Sequence, residues 1–187
     1  MATILYDKVQ EYIASLVPPR EPELQKMEEI AEKNDFPIIG AACGYYCYQL
    51  ARMINARAIF ELGSGYGYST AWFAKAVKEN GGGVVHHTVW DDDLSKRAQK
   101  HLSALGTADL VRFHNAEAVE TLRQTPGPFD IIFNDIDKDG YPDSLPVIKE
   151  KLRSGGLLII DNMIWHGQTL DPNDHEFHHR SHPPLHT

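Results

Sequence analysis

A few residues stand where chemistry could be done. Asp135, Asp161 and Asn162 offer oxygen ligands only. Such a set suits a hard divalent cation, Mg²⁺ or Ca²⁺, better than zinc. Two carboxylates and an amide also leave coordination positions open for water or substrate. Lys138 lies three residues after Asp135, in the same loop. An ammonium beside a metal cation has its neutral form favoured, so this lysine is a candidate general base. Glu61 precedes a run with glycine at Gly63, Gly65 and Gly67. Its carboxylate can accept a hydrogen bond from a ligand amine or hydroxyl. The glycines let the backbone pass close to that ligand without a Cβ in the way. Each feature also has a plain reading: aspartates cap helices and loops, lysines sit in solvent, and glycine turns need no ligand. Together they describe a site.

These residues need elements to bring them together. Ala58 to Leu62 is a short apolar run, and Ser69 and Thr70 open an amphipathic run through Val77. Strand, glycine-rich turn and helix follow from that pattern. Val84 to Trp90 is a second strand, and Asp91 or Asp92 caps a helix running to Leu105, ended by Gly106. Leu110 to His114 is a strand and Glu117 to Arg123 a short helix. Phe129 to Asp135 is a strand, Pro142 to Leu152 a helix stopped by Ser154-Gly155-Gly156, and Leu157 to Asp161 a fifth strand. The apolar runs fit a parallel sheet covered on both faces. The alternation predicts an α/β, doubly wound, mainly parallel sheet, with ligands beyond the carboxyl ends of its strands. Glu61, Asp135 and Asp161 each end a strand, so all three face one crevice.

Upstream, helices are expected over Ile4 to Val17, Glu23 to Asn34 and Tyr45 to Ile54, with Asp35 to Gly44 as a connector. Tyr45, Tyr46 and Tyr48 are read as helix packing. Cys43 and Cys47, the only cysteines, are read as buried thiols. The 187 residues suit one domain, and 42% hydrophobic with 24% charged residues is ordinary for a globular chain. A net charge of −8 argues against nucleic acid and against an anionic membrane surface. With no long apolar run and no signal peptide, a cytoplasmic location is the expectation.

Gly63-Ser64-Gly65-Tyr66-Gly67 is not the Gly-x-Gly-x-x-Gly of a dinucleotide fold, which sets aside a dehydrogenase. With its acid two residues upstream, it resembles motif I of the S-adenosylmethionine (SAM) dependent methyltransferases. Asp135-Ile136-Asp137-Lys138 with Tyr141, then Gly155 to Asn162 with Trp165 and Gly167, is similar to the metal-dependent O-methyltransferases of the caffeoyl-CoA and catechol type. The similarity runs from about Pro37 to Pro172. It implies a class I SAM methyltransferase fold and methyl transfer from SAM to the hydroxyl of a catechol-like or other small phenolic acceptor. By the same resemblance, Asp135, Asp161 and Asn162 bind a divalent cation, Mg²⁺ first, with Ca²⁺ and Mn²⁺ as alternatives. Lys138, beside Asp135, takes the acceptor proton. Glu61, Gly63, Ser64, Gly65, Tyr66, Gly67 and Ser69 hold the amino-acid end of SAM, with Asp135 alongside. Glu117 and Ala118 match the loop that contacts adenine. A homodimer is expected, first through the edge of the fifth strand that the family's C-terminal strand hairpin would cover, and second through the helices Ile4 to Val17 and Glu23 to Asn34, because family members often dimerise.

Two departures from the family pattern stand out. An acid near the end of the second strand binds the ribose hydroxyls in the family, and Val89 stands there in this chain. Asp91, two residues on, and Trp90, by stacking on adenine, are the candidates to replace it. The second departure is the chain end. The family continues with a helix and a strand hairpin, whereas residues 173–187 read as a disordered tail with five histidines from His175 to His186. The expectation is one domain over 1–172, with N-terminal helices in 1–55, a Rossmann-like core in 56–172 and no hairpin. Two hypotheses remain: an O-methyltransferase, or a non-catalytic SAM-binding protein of the same fold. No cluster of Lys and Arg marks a CoA-phosphate site, which favours a small free phenol.

Overall fold

The computed structural model describes residues 2–163, with side chains from residue 8 onward except residue 10. The expectations for the hairpin and the histidine tail lie outside these residues, as do Trp165 and Gly167. Three helices come first: α1 (Ala2–Ser15), α2 (Pro22–Lys33) and α3 (Gly40–Met53). Strand and helix then alternate: β1 (Ala58–Leu62), α4 (Tyr68–Glu79), β2 (Val84–Val89), α5 (Asp92–Ala104), β3 (Val111–Asn115), α6 (Ala118–Gln124), β4 (Phe129–Asn134), α7 (Tyr141–Lys151) and β5 (Leu152–Ile160).

The sheet order is β3-β2-β1-β4-β5, and every pairing is parallel. β1 passes to β2 on one side while β4 pairs on its other side, so the direction of winding reverses between β1 and β4. Ligands bind at such a reversal in open α/β sheets. Side chains alternate between faces along each strand. Ile59, Val85, Val111 and Ile131 face one core with α4 and α5 residues such as Phe73, Val77, Ala98 and Leu102. Phe60, Leu62, Phe129 and Ile132 face the other, with Val119 and Leu122 of α6 and Val147 and Ile148 of α7.

Three expectations need correction. α3 starts at Gly40, not Tyr45, because tertiary packing overrides the weak helix propensity of its glycines. Gly44 is buried, and a Cβ there would lie 2.2 Å from the Trp72 indole nitrogen. β5 begins at Leu152, and Ser154-Gly155-Gly156 lies inside it as an irregularity, with a register shift opposite Phe129 to Ile131. Arg153 Nε donates to Asp130 Oδ1 at 2.6 Å and pins that shift. A Cβ on Gly156 would sit 2.9 Å from the Asp130 carbonyl oxygen, which explains the glycine. Cys47 is a buried thiol as expected, pushed up to about 12 by burial first, but Cys43 is exposed. No described helix is long and apolar enough to cross a membrane.

Candidate active site

The glycine turn is tied to its neighbours on both sides. Ser64 N donates to Thr88 O at 2.9 Å, and Thr88 N donates back to Ser64 Oγ at 3.1 Å. Thr88 Oγ1 donates to Glu61 O at 2.7 Å. On the other side, Asp135 N donates to Leu62 O at 2.9 Å. Gly63 has φ +80°, and a Cβ on it would lie 2.4 Å from the Asp135 carbonyl oxygen. Only glycine fits both the left-handed backbone and that approach. The turn and the β4 loop are therefore built against each other.

Glu61 is fully buried, and neither carboxylate oxygen has a hydrogen-bond partner in the described chain. Burial pushes its carboxyl up to about 7, while the nearby Ser69, Thr70 and Ser64 hydroxyls pull the other way. A buried carboxylate with no partner is costly unless something arrives to pair with it. A cationic ligand group beside the glycine turn meets that requirement, so the residues fit the amino-acid end of SAM. The cavity at this turn is only about 40 Å³, lined by Phe36 to Ile39 on one wall and Gly63 to Tyr66, Tyr68, Ser69 and Asp135 on the other. Ligand pockets of this class run to about 300–1,000 Å³, so this cavity by itself covers only a small part of a cofactor. A larger cavity, about 300 Å³, lies between α2, α4 and α5 around Lys75 and Glu21. Those two residues already pair with each other, and the cavity is remote from the strand ends.

The acids meet at the ends of β4 and β5. Asp135 is half-buried; burial first, and then the Asp161 charge, raises its carboxyl, with Lys138 opposing. Asn162, with φ +59°, donates its side-chain amide to Asp161 Oδ2. Among the described residues no three His, Cys, Asp or Glu gather into a metal site. A cation here would rest on two carboxylates and an amide. The paired carboxylates require a proton or a cation between them, so the donor set fits a hard divalent ion.

Lys138 lies in a short 3₁₀ turn, Lys138–Gly140, with Nζ 5.4 Å from the Tyr141 ring centroid. Tyr141 Oη donates to Asp161 O at 2.8 Å. Sequence reasoning placed Tyr141 in the motif but missed this strut between the β4 loop and the end of β5. A hydroxyl two strand ends away gives no local signal.

At the expected nucleoside end, two carboxylates serve the helices. Asp91 Oδ1 accepts from Leu94 N at 2.9 Å as the cap of α5. Glu117 accepts from Val119 N and Glu120 N as the cap of α6. Val89 ends β2 buried, Ala118 is buried, and Trp90 is 73% exposed. Of these residues, the Trp90 indole presents the largest uncommitted surface.

A sequence profile of the O-methyltransferase family matches residues 18–182, wider on both sides than the motifs alone suggest. The chain is 30% identical over 178 residues to a catechol O-methyltransferase of Niastella koreensis, covering 92% of this chain and 80% of that protein. It is 29% identical to caffeoyl-CoA O-methyltransferase 1 of Eucalyptus globulus over 88% of this chain and 70% of that one. Among solved structures, the O-methyltransferase TomG of Streptomyces achromogenes, determined in complex with SAM, superposes with a TM-score of 0.79 at 28% identity. That match covers 94% of this chain and 82% of TomG. With its winding reversal between β1 and β4 and its acids at the strand ends, the chain has the fold of the class I SAM-dependent methyltransferases and belongs to the O-methyltransferase family.

Proposed function

We propose that this enzyme moves the methyl group of SAM to a hydroxyl of a catechol-like or other small phenolic acceptor, assisted by a divalent cation. The observation that carries the reading is the junction of the glycine turn with the Asp135 loop, which sets the buried Glu61 beside the acid pair. SAM supplies the electrophilic methyl group, and the cation, Mg²⁺ in the first place, favours ionisation of the acceptor hydroxyl. The chain's residues position these partners. Glu61 and the turn from Gly63 to Ser69 take the amino-acid end. Trp90 takes a face of the adenine, close to Asp91, Glu117 and Ala118. Asp135, Asp161 and Asn162 hold the cation. Lys138, kept near the acids by the Tyr141 ring, receives the acceptor proton at Nζ. Holding acceptor and methyl donor in line supplies much of the acceleration.

Calorimetric titration with SAM, with and without Mg²⁺, followed by transfer of labelled methyl to catechol, tests the reading. Transfer should require the cation and vanish in EDTA. Lys138→Ala should lower turnover by about 10²-fold, the range of a general base, with SAM affinity unchanged. Undiminished transfer in EDTA would remove the cation from the reaction.

The same reading includes a homodimer in the cytoplasm. Exposed Val9, Tyr12 and Ile13 on α1 and Leu16 just after it, with Tyr46 and Met53 on α3, give an apolar surface to cover. Among the described residues, β5 pairs only with β4, so its other edge is a second candidate. Light scattering over a concentration series decides: a monomer throughout ends the dimer proposal.

A further inference from the structure

Behind Glu61 lies a second buried group that the reaction above does not use. Phe60 pairs with His86 across β1 and β2. Glu61 and His87 come next on each strand and share the opposite face, under α4. His87 is fully buried. Its Nδ1 lies 3.0 Å from Thr70 Oγ1, and its Nε2 has no partner in the described chain. The Phe113 ring packs beside it at 5.3 Å between centroids. Burial first, and then His114, hold the imidazole down at about 3, so the ring is neutral near pH 7. A neutral imidazole carries one hydrogen, and its position has consequences for Glu61.

With the hydrogen on Nε2, a buried N–H is orphaned, and the Thr70 proton must point at His87. The Thr70 oxygen would then turn lone pairs toward the Glu61 carboxylate, which its hydroxyl otherwise helps to ionise. With the hydrogen on Nδ1, the unpartnered atom is a lone pair, a less costly orphan than a buried N–H. Nδ1–H then donates to Thr70 Oγ1, and the Thr70 hydroxyl is free to donate to Glu61. Ser64 is arranged alike: its Oγ accepts from Thr88 N, which leaves its own proton for the carboxylate. Both hydroxyls lie near the carboxylate without a hydrogen bond to it in this structure, and the group behind each leaves its proton free to turn there.

We propose that His87 is a positioning residue for the cofactor's amino-acid end: through Thr70 it fixes the donor that orients Glu61 toward the ammonium of SAM. This rests on the assignment of SAM to the glycine turn. A buried hydrogen bond to a charged group contributes enough that its loss costs about tenfold in affinity.

The test separates the amino-acid end from the nucleoside end. S-adenosylhomocysteine and 5′-methylthioadenosine are both thioethers and differ in the amino-acid chain. Titration calorimetry on the full chain should show that His87→Phe, which keeps a ring without the donor, weakens S-adenosylhomocysteine about tenfold. 5′-Methylthioadenosine should bind within about twofold of wild type. His87→Asn, which keeps a donor at the δ position, should restore most of the loss. Equal weakening of both ligands, or of neither, overturns the proposal, because general packing damage does not distinguish them. Should His87→Phe fail to fold, Thr70→Val removes the relay hydroxyl in an isosteric side chain. It should show the same selective loss, and an unchanged ratio of the two affinities would overturn the role of His87. A wild-type protein that binds neither ligand overturns the cofactor reading, and this inference with it.

Discussion

The two halves of the strand-end crevice are held by different means. The cofactor half, between β1 and β2, is backbone and core: the Ser64–Thr88 exchange, the left-handed Gly63 and the buried Glu61. The acid half, at the ends of β4 and β5, hangs on a few polar ties. Asp161 N donates to Asn134 O at 3.1 Å, Tyr141 holds the Asp161 carbonyl, and Asn162 is exposed. The first half is pre-organised by the same packing that stabilises the fold. The second concentrates like charge that its own packing does not relieve. Changes in the cofactor half should therefore cost stability and binding together, while changes in the acid half should cost turnover alone.

Gly63→Val breaks the comparison at the point where both halves touch. A branched side chain must occupy the space of the Asp135 carbonyl, at a backbone angle it disfavours. Stability should fall by about 2–3 kcal/mol and SAM affinity by about 100-fold, read by urea unfolding and calorimetry. A folded variant with wild-type affinity would show that the halves are independent.

Asp161→Ala should sharpen the contrast. Turnover falls by about 10²–10³-fold, since charge stabilisation by a cation accounts for several kcal/mol. SAM affinity stays within about twofold. Removing a charge that raises its neighbour Asp135 should leave Tm unchanged or higher. A large loss of Tm would mean that the acid pair is structural.

The same division explains what was legible in the sequence. Continuous apolar runs and glycine spacing report local structure, so all five strands, the turn and the residues at the strand ends could be placed. The start of α3 was missed because Gly44 is required by Trp72, a partner 28 residues away. The start of β5 was missed because Ser154-Gly155-Gly156 satisfies a bulge pinned by Asp130, where local propensity suggests only a stop. The histidines of β2 gave no signal, since their meaning depends on which strand face each one takes. Asp91 reads in one dimension both as a cap and as a ribose contact, and Glu117 as an adenine contact, because both uses of a carboxylate favour the same position at the end of a strand.

Titration of Glu61 offers a gentler probe of the cofactor half. Its carboxyl is raised to about 7, with burial as the leading cause, and the SAM ammonium that we propose as its partner requires the ionised form. Affinity should thus fall by up to about tenfold per pH unit below 7 and level off above it. The sign for folding is opposite. A group raised in the folded state stabilises most below its unfolded value of 4.5 and loses that contribution as pH rises through about 7. His86, His87 and His114 are all depressed, so their contribution is present above 6.5 and lost as pH falls. Subtracting the Glu61→Gln profile from wild type isolates the carboxylate. A difference that is flat from pH 5 to 8 in both binding and unfolding would show that Glu61 does not titrate there.

The smallest change tests the strut of the acid half. Tyr141→Phe removes the hydroxyl that holds the Asp161 carbonyl and keeps the ring near Lys138. Loss of one neutral hydrogen bond amounts to about 1 kcal/mol. The binding of Mn²⁺, followed by its paramagnetic signal without substrate, should therefore weaken about fivefold. Turnover at saturating Mn²⁺ should be nearly restored, because the carboxylates themselves remain. Tyr141→Leu also takes the ring from beneath the ammonium, a contact that contributes about 0.5–1 kcal/mol at an exposed site. That variant should lose about two- to fivefold more in turnover, which added Mn²⁺ does not recover. The two variants thus separate the task of setting the acids from the task of setting the lysine. If Tyr141→Phe binds Mn²⁺ as the wild type does, the Asp161 carbonyl is held well enough by β5 alone. The acid half would then owe its geometry to the sheet, as the cofactor half does, and the contrast between them would lie in charge alone.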